Sequence, residues 1–279
     1  MTQRLFCFGF GYSAQALAAC LDPAHWQVSG TARSAQPGQW LFERRHPLPE
    51  AALQGVTHLL ISIPPDAEGD PVLDGCGDAL LAMAPSLRWI GYLSTTGVYG
   101  DHGGDWVDES TPPKPSSPRA QWRVAAEQAW LALADRLPVH IFRLAGIYGP
   151  GRSSLDDLKA GTARRILKPG QWFSRIHRDD IAAVLLASMQ APRPGRIYNV
   201  CDDEAAPSPD VIAFAARLLG IDPPPLVPFD QVPLSPMAQS FWADNKRVRN
   251  DRLHNELGVT LRYPSYREGL SAIAAALDL

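Results

Sequence analysis

The first twenty residues constrain the fold more than any other stretch. An apolar run from Leu5 to Phe8 is followed by Gly9 and Gly11, then by a helix-forming run from Ser13 to Leu21. A buried strand that gives way to a glycine turn and a helix is the arrangement that holds a dinucleotide pyrophosphate. Gly9 permits the tight turn, and Gly11, lacking a side chain, lets the backbone approach the phosphates. The helix N-terminus adds unpaired N–H groups and a partial positive charge. Ala14 stands where the third glycine of G-x-G-x-x-G would be and is small enough for close helix–strand packing. The competing reading is a glycine turn that binds nothing.

Strand and helix signals alternate through most of the first 200 residues. Apolar strands are expected at Trp26–Ala32, His58–Ile63, Arg88–Ser94, Val139–Ala145 and Arg196–Cys201. Helices are expected at Leu73–Ala84, Ala120–Arg136, Asp179–Met189 and Pro209–Leu219. Such alternation means βαβ units, a parallel sheet and helices on both faces, an α/β Rossmann-type doubly wound fold. The alternation fails at about 146–175 and 205–279, where proline-rich loops carry short helical pieces at Arg247–Leu257 and Tyr266–Leu277. The expected division is therefore a dinucleotide-binding domain, 1–145 plus about 176–204, and a smaller substrate lobe, about 146–175 plus 205–279.

At 279 residues and 46% hydrophobic, the chain can bury a large core and a smaller one. A formal net charge of −3 leaves no nucleic-acid footprint. No apolar run approaches the roughly 20 residues that span a bilayer. The first residues read as a strand and not as a signal peptide. Cys7, Cys20, Cys76 and Cys201 have no C-x-x-C spacing and read as buried thiols of a reducing cytoplasm, forming neither a metal site nor a disulfide framework. The expected partner is a small molecule, with no nucleic acid and no membrane; a homodimer is left open.

The choice of dinucleotide turns on the end of the second strand. An acid there suits the ribose 2′-hydroxyl of NAD, but the sequence reads Thr31-Ala32-Arg33-Ser34. A guanidinium suits a 2′-phosphate, so NADP is favoured over NAD. A plain surface arginine is the alternative. The expected cofactor-binding set is Gly9, Gly11, Tyr12, Ser13, Arg33, Ser34, Ser62 and Arg123.

Five stretches together resemble the extended short-chain dehydrogenase/reductase family, the NAD-dependent epimerases and dehydratases. They are GFGYSA, LSTTGVYGD (93–101), RAQWRVAAE (119–127), RLAGIYGPG (143–151), and RIHRDDIA (175–182) with IYNVCDD (197–203) behind it. The resemblance implies a Rossmann sheet under a small substrate lobe. It also implies a catalytic Ser or Thr, here Thr95, a role favoured by the motif over that of a hydroxyl merely capping a turn. The family's Tyr-x-x-x-Lys pair is missing: Arg119 and Arg123 stand at those positions. Arginine cannot shuttle protons near neutral pH. An atypical member follows, either with relocated catalysis or as a non-catalytic NAD(P)-binding sensor. Tyr148, Tyr99 and His177 are the replacement acids to consider, although each fits a packing or cofactor-wall role better, and Tyr148 is set beside Thr95 as a candidate catalyst.

Nucleotide-sugar members usually carry an arginine where Phe173 stands, which argues for a smaller or more apolar ligand. Arg152 and Arg175 remain as anion ligands. Trp172 and Trp242 are the expected apolar walls, although Trp242 also fits a simple core role.

Overall fold

The computed structural model describes residues 2–34, 37–46 and 48–277. Residues 1, 35, 36, 47, 278 and 279 of the expected domain ranges lie outside the described residues. In chain order the elements begin with β1 (Gln3–Phe8), α1 (Tyr12–Ala19), β2 (Trp26–Ala32), β3 (Gln39–Leu41), α2 (Glu50–Leu53), β4 (His58–Ile61), α3 (Pro71–Ala82) and β5 (Trp89–Thr95). They continue with β6 (Trp106–Val107), α4 (Pro118–Leu131), β7 (Val139–Leu144), β8 (Gly146–Tyr148), α5 (Ser154–Lys159), β9 (Arg165–Leu167), β10 (Arg175–His177) and α6 (Arg178–Gln190). The last are β11 (Ile197–Val200), α7 (Ser208–Leu218), β12 (Leu226–Pro228), α8 (Pro236–Ala243), β13 (Arg247–Val248), α9 (Asp251–Leu257) and α10 (Tyr266–Ala276).

The central sheet has seven parallel strands in the order β11-β7-β5-β4-β1-β2-β3. This is the doubly wound α/β Rossmann-type architecture expected from the alternation. Every residue of β4 and of β7 is buried, as a parallel strand covered on both faces requires. One apolar cluster lies under α1 and α6 and includes Leu5, Leu17, Phe142 and Leu185. The opposite face packs Phe6, Phe8, Leu80 and Trp130 against α3 and α4.

Helix starts follow local chemistry. Asp70 accepts from the N–H groups of Val72 and Leu73, with Pro71 next in the chain. Ser117 caps α4 ahead of Pro118. Ser265 and Glu268 form a capping box on α10.

A third cluster, with Leu155, Leu158, Val211, Ala215, Leu270 and Ile273, is built from α5, α7 and α10. All of it comes from the two ranges where the alternation fails. Val248, Leu253 and Leu261 from the same ranges join the core of the main sheet instead.

Three expectations need correction. Arg247–Leu257 is not continuously helical: Arg247 and Val248 pair with Trp106 and Val107 as β13 and β6, and α9 starts at Asp251. The Arg247 and Arg249 N–H groups are held by the Asp105 and Val107 carbonyls, which removes them from any helix. The helix expected to reach Arg136 stops at Leu131, and turns carry the chain to Pro138. Cys20 is exposed at the end of α1, whereas Cys7, Cys76 and Cys201 are buried.

Candidate functional site

A cavity of about 980 Å³ opens at the carboxyl ends of β1, β4, β5 and β7. The strand order reverses direction between β1 and β4, where open α/β sheets bind ligands. Tyr12 and Ser13 after β1, Ser62 after β4, Thr95 at the end of β5, and Arg119 and Arg123 on α4 all line it. Arg152, Trp172, Arg175 and Trp242 close it from the opposite side.

The glycine turn is fixed from below. Thr31 accepts the Gly9 N–H at its Oγ1 (2.8 Å) and the Phe10 N–H at its carbonyl (2.9 Å). Gly9 has φ +86°, which favours glycine, and a Cβ there would meet Ile63 Cγ1 at 3.2 Å. At Gly11 an added Cβ meets nothing within 4 Å. No side chain among the described residues caps α1 at Gly11. An uncapped helix start with open space over a glycine fits a pyrophosphate. Beside it, the Tyr12 hydroxyl donates to the Pro150 carbonyl (3.0 Å), and the Arg178 and Arg152 guanidiniums lie 4.7 and 6.0 Å from its ring. Arg33 and Ser34 are exposed just after β2, outside the lining of the cavity.

Thr95 lines the cavity and caps a turn. Its Oγ1 accepts from the Gly97 N–H (3.1 Å), capping the turn, and the hydroxyl proton remains free to be donated into the cavity. Arg123 is anchored under β5, donating to the Leu93 carbonyl (2.7 Å) and the Tyr92 hydroxyl (3.3 Å). Arg119 sits one turn earlier on α4, exposed, with no hydrogen-bond or ion-pair partner among the described residues.

The expected replacement acids do not gather here. Tyr148 is buried in the third cluster, donates to the Ser265 carbonyl (3.3 Å) and packs its ring edge against His177 (5.2 Å). Burial pushes its phenol up, away from acid–base use. That placement corrects Tyr148 from candidate acid to packing residue. Tyr99 is also buried; burial pushes it up to about 12, and its hydroxyl donates to Asn199 Oδ1 (2.7 Å). His177 is buried, pushed down to about 4, and its Nδ1 accepts from the Asp179 N–H at the start of α6. Arg175 contributes its stem to the wall but turns its guanidinium onto the Phe173 and Ala206 carbonyls (2.9 and 3.0 Å). It is therefore a poor match for the anion ligand expected of it.

The sequence reading missed Lys246. Its side chain is 11% exposed yet lines the cavity, with Nζ donating to the Gly100 carbonyl (2.9 Å). Burial pulls its ammonium down. Asp244, 3.6 Å from Nζ, accepts the Ser116 hydroxyl (2.6 Å). Only its position just after Trp242-Ala243-Asp244-Asn245 could have signalled it. Also missed was the clamp behind β5: Glu127 pairs with Arg143 at 2.7 Å, both side chains 3% exposed, and accepts the Ser94 hydroxyl. The Arg143 guanidinium lies 4.8 Å from the Tyr99 ring. This clamp fixes the end of β5 on which Thr95 rides.

The model of the NAD dependent epimerase/dehydratase family matches residues 78–201, which run from α3 to β11. Over that stretch the chain is similar to that family. A functionally unknown conserved protein from Silicibacter pomeroyi DSS is 54% identical, with 99% of each chain covered and a TM-score of 0.92. Protein YeeZ of Escherichia coli (strain K12) is 28% identical over 293 residues, covering 94% of this chain and 97% of that protein. A dTDP-glucose 4,6-dehydratase from Bacillus anthracis str. Ames, solved in complex with NAD, has a TM-score of 0.79 at 17% identity, covering 100% and 97%. At that identity the likeness is one of fold. The family match supports a nicotinamide-binding, oxidoreductase-like protein.

Proposed function

We propose that the protein is an NADP-preferring oxidoreductase or epimerase with a rebuilt active site, acting on a small molecule held between Thr95 and the wall of Trp172 and Trp242. The observation that carries this reading is a single cavity lined both by the start of α1 and by Thr95, Arg119 and Arg123. The α1 N–H groups hold the pyrophosphate, and the Arg33 guanidinium with the Ser34 hydroxyl takes the 2′-phosphate. Arg123, with donors left beyond its Leu93 bond, holds the nicotinamide ribose. The nicotinamide, when bound, gives or takes the hydride. The Thr95 hydroxyl donates to the substrate oxygen. With an arginine in place of the phenol at position 119, the proton of that oxygen is exchanged with water entering the cavity mouth.

A binding-only role as a sensor or scaffold is the second reading. It is favoured by one observation: Tyr92, Tyr99 and Tyr148 all sit buried and pushed up, leaving no free phenol beside Thr95.

Nicotinamide absorbance, followed across a carbonyl and sugar panel, tests the enzyme reading. Thr95→Ala should lower kcat by about 100-fold or more, in the range of groups engaged with the reacting atoms. Arg119→Ala should lower it far less. A larger kcat loss at Arg119 than at Thr95, with cofactor binding intact, would reassign the site. Tight dinucleotide binding with no turnover on any substrate would move the reading to the sensor.

A further inference from the structure

We propose that the substrate is an aryl carboxylate: a flat apolar ring bearing one negative charge, bound with the charge between Lys246 and Arg119 and the ring against Trp172, Trp242 and Phe241. The inference rests on the reading of this cavity as the substrate site beside a dinucleotide.

The charges lining the cavity are unbalanced. Arg119, Arg123, Arg152, Arg175 and Lys246 stand against Asp244 among the described residues, in a chain whose formal net charge is −3. The cations differ in what they have left to give. Arg175 is bonded to two backbone carbonyls, Arg123 is bonded under β5, and Arg152 stands beside Tyr12 on the dinucleotide side. Arg119 and Lys246 remain. Arg119 has no partner among the described residues. Lys246 donates one N–H to the Gly100 carbonyl and is ion-paired with Asp244 at 3.6 Å, a longer contact than a direct hydrogen bond. A nearly buried ammonium is stabilised by an anion arriving from the cavity. Carboxylate oxygens accept charge-assisted bonds from both an ammonium and a guanidinium.

Aromatic rings form part of the substrate side, beside the serines Ser174, Ser208, Ser235 and Ser240. Phe173 meets Trp242 edge to face at 5.0 Å, and Trp172 lines the same wall. Phe241 on α8 lines the cavity while 65% exposed, an apolar ring with nothing over it. A flat ring covering Phe241 removes that surface from water.

The test uses the full chain, with and without saturating NADPH, and follows binding by titration calorimetry. The probes are cinnamate, its neutral counterpart cinnamyl alcohol, and UDP-glucose. Cinnamate should bind about 10-fold or more tightly than the alcohol, the value of one charge-assisted hydrogen bond. Lys246→Met and Arg119→Gln should each remove most of that preference while leaving NADPH affinity unchanged. Arg119, exposed and partnerless, can be changed without risk to the fold, so the test survives a Lys246 variant that fails to fold. Equal binding of acid and alcohol, no binding of either at millimolar concentration, or tighter binding of UDP-glucose would each overturn the substrate class. Absence of NADPH binding in the wild type would instead overturn the cofactor reading, and the acid–alcohol comparison without NADPH is scored separately.

Discussion

His140 is a buried polar residue tied to partners at both ring nitrogens. It is fully buried in β7; its Nε2 accepts the Arg193 N–H (2.7 Å) and its Nδ1 faces the Ile90 carbonyl (3.3 Å). That pattern needs the neutral ring with the proton on Nδ1. Burial pushes the group down to about 4 from an ordinary 6.5, and His58 is pushed down to about 4 as well. Between those values the unfolded chain binds a proton that the native state refuses. Stability is therefore full above about pH 6.5 and falls as pH drops toward 4, by about 3 kcal/mol for His140. Urea unfolding between pH 7 and about 4 should show this, and His140→Gln should flatten part of the slope. At Arg33 the expectation concerns selectivity: Arg33→Ala should cut the preference for NADPH over NADH by about 10-fold, read by parallel titrations. An unchanged ratio would leave Arg33 a surface arginine.

At the level of elements, the β1–turn–α1 unit was legible from its residues because the turn has local causes: an apolar run, a left-handed glycine and a helix start. Strands β4, β5 and β7 were legible for the same kind of reason, as apolar runs cut by prolines or polar turns. The short pairs β6–β13, β8–β10 and β9–β12 were not. Two or three residues carry no periodicity, and their partners lie far along the chain, as Arg247 and Trp106 do. Lys246 was hidden for that reason, since it is brought to the cavity by β13. Glu127 was visible only as part of Ala125-Ala126-Glu127, and its role depends on the non-local Arg143. Glu127→Ala leaves a buried guanidinium unpaired and should cost about 3–5 kcal/mol in urea unfolding. Its loss should also lower kcat by loosening the end of β5 under Thr95. A change under 1 kcal/mol would mean water satisfies Arg143 as well as Glu127 does.

For the whole molecule, the sheet order places the ends of β1, β4, β5 and β7 around one cavity, and the third hydrophobic cluster of α5, α7 and α10 stands apart from the two that sandwich the sheet. We propose that this cluster anchors a substrate lobe, with the segment around α8 and Lys246 forming the wall opposite the dinucleotide. We propose that Arg119 and Arg123 stand on this sheet where the family's tyrosine and lysine would. Cofactor binding is the function on which every other assignment depends. It is tested most directly by calorimetric titration of NADPH into the wild type and into Gly11→Val. An added Cβ at Gly11 meets no protein atom within 4 Å, so the variant should fold with an unchanged melting temperature and lose binding. Saturable wild-type binding that vanishes in Gly11→Val is the predicted result. No binding of NADPH or NADH by the wild type at millimolar concentration, or equal binding by the variant, would contradict the account.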